Sequence, residues 1–276
     1  MTDYMTVAEI EEIESVVTKY MHSFHQVPYR SELKFFNEDR PGVQVMEMFG
    51  TLIRRFAFYS RMIPAFAALP FQDQSSLLKG SVLEMCLLRG ALCFDATHNC
   101  WPNFNVDLYK NAPRLKLENI YHITSSRLFQ MHMEFIACVQ QMNVDEPTIM
   151  LVILLVLFMP ERAGVTNTHL IGQAQEHYTA LLQRYLNWRY GRAKAPLLFS
   201  RLLTKLSDLR ELSDTHNHYN LRLGNHRSSF TPSLAVETRA NGRCPSSHPR
   251  LILNLRSSYI HRKNESFLKG NPHRRG

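Results

Sequence analysis

Cysteine is scarce in this 276-residue chain, and no two cysteines stand at CxxC spacing. The five, Cys86, Cys93, Cys100, Cys138 and Cys244, make neither a finger pattern nor an even-numbered disulfide framework. An odd count without a signal peptide points to a reducing compartment. Long apolar runs are also lacking. The longest, residues 149–159, is bracketed by Pro147 and Pro160 and falls short of the roughly 20 residues that a bilayer-spanning helix needs, so it reads as a buried helix with no membrane role. The amino-terminal "MTDYMTVAEIEEIE" is acidic where a targeting peptide is basic, and with nothing routing the chain to secretion the sequon at Asn264-Glu265-Ser266 is discounted. GxSxG, P-loop, HExxH and GxGxxG motifs are all absent, which excludes the common hydrolases and nucleotide enzymes. Cys93, His98 and Cys100 lie close together without tetrahedral ligand spacing. No enzyme, metal or cofactor is expected.

Acidic residues are scarce at one end. The formal charge is +8, but residues 221–276 hold 11 Lys and Arg against the two acids Glu237 and Glu265, which leaves 21 bases and 22 acids for residues 1–220. A near-neutral body is followed by a basic tail. Ser, Arg, Asn, His, Pro and Gly dominate that tail, and its helical periodicity fades, a composition that usually stays unfolded. Its basic residues could neutralise phosphates, yet it has few aromatics on which bases would stack.

Alternating strand patterns are nearly absent, and helical periodicity fills the body. Thr6-Val7-Ala8-Glu9 is a capping box followed by Ile10, Ile13, Val16, Val17 and Tyr20. Val45, Met48, Phe49, Leu52, Phe56 and Ile63 mark a long amphipathic helix that stops at Pro64. Asp73 is expected to cap the next helix, which is apolar nearly all the way round and therefore sandwiched between others. "THNCWPNFNVD" suggests a short hairpin. Further helices are expected at about 125–142, 148–159, 168–190 and 196–220. The fold class is all-α.

Charge inside the sandwiched helix needs explaining. Glu84 and Arg89 both lie there, and burying a charge without a partner is costly. Arg162, in "MPERAGV", is a candidate partner for Glu84. Arg89 has no acid one turn away on its own helix, which leaves it either paired elsewhere or facing a cavity that holds water or a polar ligand group. His216 and His218 stand two apart and cannot share a helix face, so they are no metal pair; His216 could donate into a cavity or simply be satisfied locally. One further stretch, "SRMIPAFAALPFQDQSSLLKG", joins two helices by an almost wholly apolar link with Arg61 on one side and Lys79 on the other.

At "FYSRMIPAFAALPFQDQSSLLKGSVLEMCLLR" the order of features resembles the signature of nuclear receptor ligand-binding domains, and the likeness runs collinearly through "FMPERAGV", "LLQRYLNWRYG" and "LLFSRLLTKLSDLRELSDTH". It covers roughly residues 7–220. "RMIPAF", "LLR" and "PERAGV" favour the vitamin D receptor group and its arthropod orphan relatives. The resemblance implies a three-layer antiparallel helical sandwich with a short β-turn over residues 1–220, ahead of the tail at 221–276, and a nuclear location, with the cytoplasm as a further possibility. It implies a lipophilic ligand (a sterol, fatty acid or foreign compound), with Arg89 and His216 at polar ends of the cavity. Phe49, Leu52, Phe56, Met85 and Trp101 are then its walls, or plain core. A surface groove for a coregulator helix with Leu at i, i+3 and i+4 is implied at Arg61, Gln74, Leu78 and Lys79, closed by Glu237. Glu84 and Arg162 match the pair found in receptors that dimerise with the retinoid X receptor. Leu198, Leu202, Leu206 and Leu209 would supply the dimer face, a spacing that also suits core packing.

The chain departs from the family pattern at two places. Its first residues precede the first helix without the family's zinc module, so no DNA reading by that route is expected of the chain as written. In "TPSLAVETRA", Leu234, Ala235 and Glu237 fit the closing activation helix, but Thr238 and Arg239 stand where apolar groups belong. Losing two buried side chains forfeits roughly 3–6 kcal/mol of docking. Weak ligand-dependent activation and a preference for corepressor helices follow as expectations. A helical lipophile carrier without a transcriptional role, and a nucleic-acid binder working through the tail, are the competing readings.

Overall fold

The capping box at Thr6 closes in both directions. Thr6 Oγ1 accepts from the Glu9 amide at 3.2 Å, and the Glu9 carboxylate accepts from the Thr6 amide at 2.8 Å. It opens α1, Val7–Gln26. This computed structural model describes residues 5–28, 41–101, 115–121 and 123–224, all within one unit, Met1–Phe230. Eight more helices follow among the described residues: α2 Pro41–Arg61, α3 Pro64–Ala67, α4 Phe71–Cys93, α5 Leu117–Tyr121, α6 Ser126–Gln141, α7 Glu146–Leu157, α8 Thr168–Tyr190 and α9 Ala195–Gly224. Strands β1, Cys100–Trp101, and β2, Leu115–Lys116, pair antiparallel, so the expected hairpin forms with its second strand beyond the stretch that suggested it.

Helix contacts sort these elements into three layers. Helices α1, α2 and α3 form one face, α4, α5, α7 and α8 the middle, and α6 and α9 the other face. The middle layer follows directly from composition. In α4, Leu77, Met85, Cys86, Leu87, Leu88 and Ala91 are buried in directions that no single stripe could cover, and in α7 every residue from Thr148 to Leu157 is buried. A helix apolar on all sides is stable only when other helices surround it. Asp145 caps α7 through the Thr148 amide and also accepts from Tyr185 Oη at 2.7 Å and Arg189 Nε at 3.1 Å, which ties α7 to α8.

Three local expectations are corrected. The long helix ends at Arg61 rather than running to Pro64, and the apolar link makes a turn of its own, α3, with Pro64 at its start. Ile63 therefore precedes α3 instead of closing α2. Asp73 does not cap α4, whose N-cap is Pro70. It is wholly buried in the first turn and reaches across to the entry of α8, accepting from the Thr166 amide at 2.7 Å, the Asn167 side-chain amide at 2.5 Å and the Asn167 backbone at 3.2 Å. Ser76 Oγ donates to the Gly164 carbonyl at 2.9 Å. Gly164 has φ +79°, and a Cβ there would come within 3.0 Å of that same hydroxyl, so both backbone and space call for glycine.

The Asn167 side chain above all, and then the Thr166 amide, hold the Asp73 carboxyl below its ordinary value. A depressed folded-state pKa gives stability that is fully present above the unfolded value of about 3.9 and is lost as pH falls through the folded value. Asp73→Asn is expected to lower the urea midpoint at neutral pH. It should also flatten the loss of stability between about pH 4 and pH 2 relative to the parent chain. Parallel urea titrations at the two ends of that range check both effects.

Candidate functional site

Glu84 and Arg162 meet as the sequence reading expects. Arg162 Nη1 donates to Glu84 Oε1 at 2.8 Å and Nη2 to Oε2 at 2.6 Å, a two-pronged pair with 3% and 11% side-chain exposure. Such fork-to-carboxylate geometry is the strong form of an ion pair. Arg162 comes off the α7–α8 loop and crosses directly over Gly80, where a Cβ would lie 2.7 Å from Arg162 Cδ. Gly80 is thus the gap through which the guanidinium reaches α4.

The interior residues fall in different places. Arg89 finds its acid on another helix: Nη2 donates to Glu146 Oε1 at 2.8 Å, at the start of α7, and its guanidinium carbon lies 5.3 Å from the Tyr20 ring centre on α1. Phe56 and Met85 have no accessible surface, so they touch neither solvent nor a water-sized space; Phe56 instead stacks on Tyr20, with ring centres 5.1 Å apart. Phe49 and Leu52 are half-buried. Trp101 donates from Nε1 to the Gly90 carbonyl at 3.0 Å and packs against Phe94 and His132. His216 meets His132 edge to face, with ring centres 5.7 Å apart, and its buried Nε2 has no hydrogen-bond partner. Burial pushes the His216 pKa down to about 4, and burial together with His216 pushes His132 down to about 3, so both rings are neutral at pH 7. Sequence reasoning missed His132, a lone polar residue on an apolar helix face that carries no local signal of a partner on α9. A cleft of about 560 Å³ opens beside the small sheet, lined among others by His98, Lys116, Tyr121 and Phe129, and it includes none of these interior residues.

At the surface, Arg61 at the end of α2 and Lys79 on α4 are both exposed, while Leu78 and Val82 are half-buried on the core. Helices α2 and α4 pack against one another. Gln74 Nε2 donates to the Leu69 carbonyl at 2.8 Å and the Ala67 carbonyl at 3.4 Å, pinning the apolar link to α4. Phe66 and Leu69 are buried, so the link anchors itself by its bulky residues. Glu237 lies outside the described residues. On α9, Leu202 and Leu209 are 3% and 0% exposed and belong to the core, which corrects their assignment to a partner face. Leu198 and Leu206 are half-buried, and among the described side chains of α9 Leu197 at 66% and Leu203 at 37% are the exposed leucines.

Comparison with known proteins agrees with this geometry. Residues 42–220 match the family model described as the ligand-binding domain of nuclear hormone receptor. The chain is 28% identical over 176 residues to nuclear receptor subfamily 1 group I member 3 of Macaca mulatta, covering 60% of this chain and 47% of that protein. It is 27% identical over 166 residues to the vitamin D3 receptor of Gallus gallus, covering 60% and 36%, and 26% identical over 176 residues to nuclear receptor subfamily 1 group I member 2 of Macaca mulatta, covering 64% and 39%. The chain spans less than half the length of these curated relatives.

Removing one partner of a buried pair strands the other charge. Glu84→Ala is expected to cost about 3–5 kcal/mol, and the double variant Glu84→Leu/Arg162→Met to recover most of that loss. Urea denaturation of the three proteins checks both expectations.

Proposed function

The chain belongs to the nuclear hormone receptor family through its ligand-binding domain, and from that premise we propose that it is a regulatory module that binds a lipophilic small molecule and takes short coregulator helices in the groove between α2 and α4. Receptors of this family regulate transcription and are not enzymes, and the nucleus is the compartment of that work. The observation that carries the reading is the pair of exposed cations, Arg61 and Lys79, beside half-buried Leu78 and Val82. A docked helix leaves its last carbonyls unsatisfied, and a cation there is favourable by about 0.3–1 kcal/mol. Its leucines at i, i+3 and i+4 would cover the apolar floor. A lipophile carrier has no use for such a rim.

Two finer points belong to the same reading. The bidentate Glu84–Arg162 pair supports assignment to the receptors that dimerise with a retinoid X receptor-like partner, and the exposed Leu197 and Leu203 then offer the apolar contact on α9. Thr238 and Arg239 in "SLAVETRA" support weak closure by the last helix, and with it a preference for corepressor helices over coactivator helices.

Fluorescence anisotropy with one coactivator-type and one corepressor-type peptide tests the proposal. The corepressor type is expected to bind the full chain more tightly, and Arg61→Ala to weaken it about two- to fivefold, the loss expected from an end-of-helix charge. A folded protein that binds neither peptide would overturn the groove and favour the carrier.

A further inference from the structure

The first turn of α4 holds a side chain that the groove reading leaves unused. Phe71 is 69% exposed, and among the described residues of α4 it is the one large apolar side chain that faces solvent. It is not an overflow from the core. The preceding link turns Phe66 and Leu69 inward and leaves Ala67, Ala68 and Pro70 exposed, and Gln74 fixes that arrangement through the Leu69 carbonyl at 2.8 Å. Phe71, Gln74 and Leu78 stand at i, i+3 and i+7, on one face of the helix. Seven residues at 1.5 Å put Phe71 about 10 Å, or two turns, from Leu78 along the axis. The apolar floor that starts at Leu78 therefore continues past Gln74 to an open phenyl ring. The charge this face exposes is cationic: the two acids of α4 are spent inward, Asp73 on Thr166 and Asn167 and Glu84 on Arg162, while Lys79 on the same helix and Arg61 at the end of α2 stay exposed.

We infer that Phe71 is a specificity-determining residue of the coregulator groove: it receives an extra apolar side chain about two turns beyond the one seated on Leu78, so the protein selects acidic-flanked partner helices whose apolar stripe continues past the i, i+3, i+4 set. The inference rests on the groove reading and names the partner more narrowly than that reading does. A short motif would cover Leu78 and leave Phe71 wet. A longer stripe covers both, and its acidic flank meets the cations.

The test uses the full chain and two fluorescent helical peptides with the same acidic flank. One carries Leu at i, i+3, i+4 and i+7, and the other has Ser at i+7. Anisotropy titrations are run on the parent chain, Phe71→Ala and Arg61→Ala, with circular dichroism confirming the fold of each. The parent chain is expected to prefer the four-leucine peptide about tenfold, the size of effect seen when an aromatic anchor is lost. Phe71→Ala should erase that preference, and Arg61→Ala should weaken both peptides. Equal affinity of the parent chain for the two peptides, or a preference that survives in Phe71→Ala, would overturn the role of Phe71 and leave the groove standing. Failure of both peptides to bind the folded parent chain would overturn groove and inference together.

Discussion

The guanidinium of Arg162, passed over Gly80 and held by both oxygens of Glu84, is the contact on which the middle of the molecule depends. It joins the central helix α4 to a loop that comes 78 residues later in the chain. A charge this deeply buried is tolerable only while its partner stays in place, so the loop has one place to lie. Asp73 and Ser76 hold the same loop at Thr166, Asn167 and Gly164. Three polar residues of α4, Asp73, Ser76 and Glu84, thereby fix how α7 hands over to α8.

That constraint reaches the surface. Because α4 is fixed from behind by polar bonds and on its flanks by α2, α6, α7 and α9, its residues Phe71, Leu78 and Lys79 have fixed positions. Gln74 then ties the apolar link to α4. Exposed side chains held on a rigid scaffold can discriminate between partner helices without first being ordered. The interior works the other way. Arg89 is drawn toward Glu146 and Tyr20, and His132 and His216 meet edge to face while neutral.

Much of this is legible in residues alone, for identifiable reasons. A capping box is a local device, and Thr6 with Glu9 announces α1 wherever it folds. A helix apolar all round, such as α4 or α7, tells its own layer. The Glu84–Arg162 pair is readable because each residue sits in a stretch that resembles the receptor family. Partners supplied by a distant helix leave no such trace: nothing near Arg89 announces Glu146, and nothing near Asp73 announces Asn167, so the partner of the first stays open in the sequence and the second reads as a cap. The face of α9 is hidden for a different reason. Helical spacing groups Leu198, Leu202, Leu206 and Leu209 together, but only packing decides that Leu202 and Leu209 turn inward while Leu197 and Leu203 turn out.

Where a partner helix lands is the decisive observation. Hydrogen exchange of the full chain, followed by mass spectrometry with and without an excess of an acidic-flanked leucine-rich helical peptide, locates it directly. Slowed exchange confined to the end of α2, the α3 link and the first half of α4 is the predicted result. Protection confined to α8 and α9, or none at a peptide concentration that saturates binding, would contradict it.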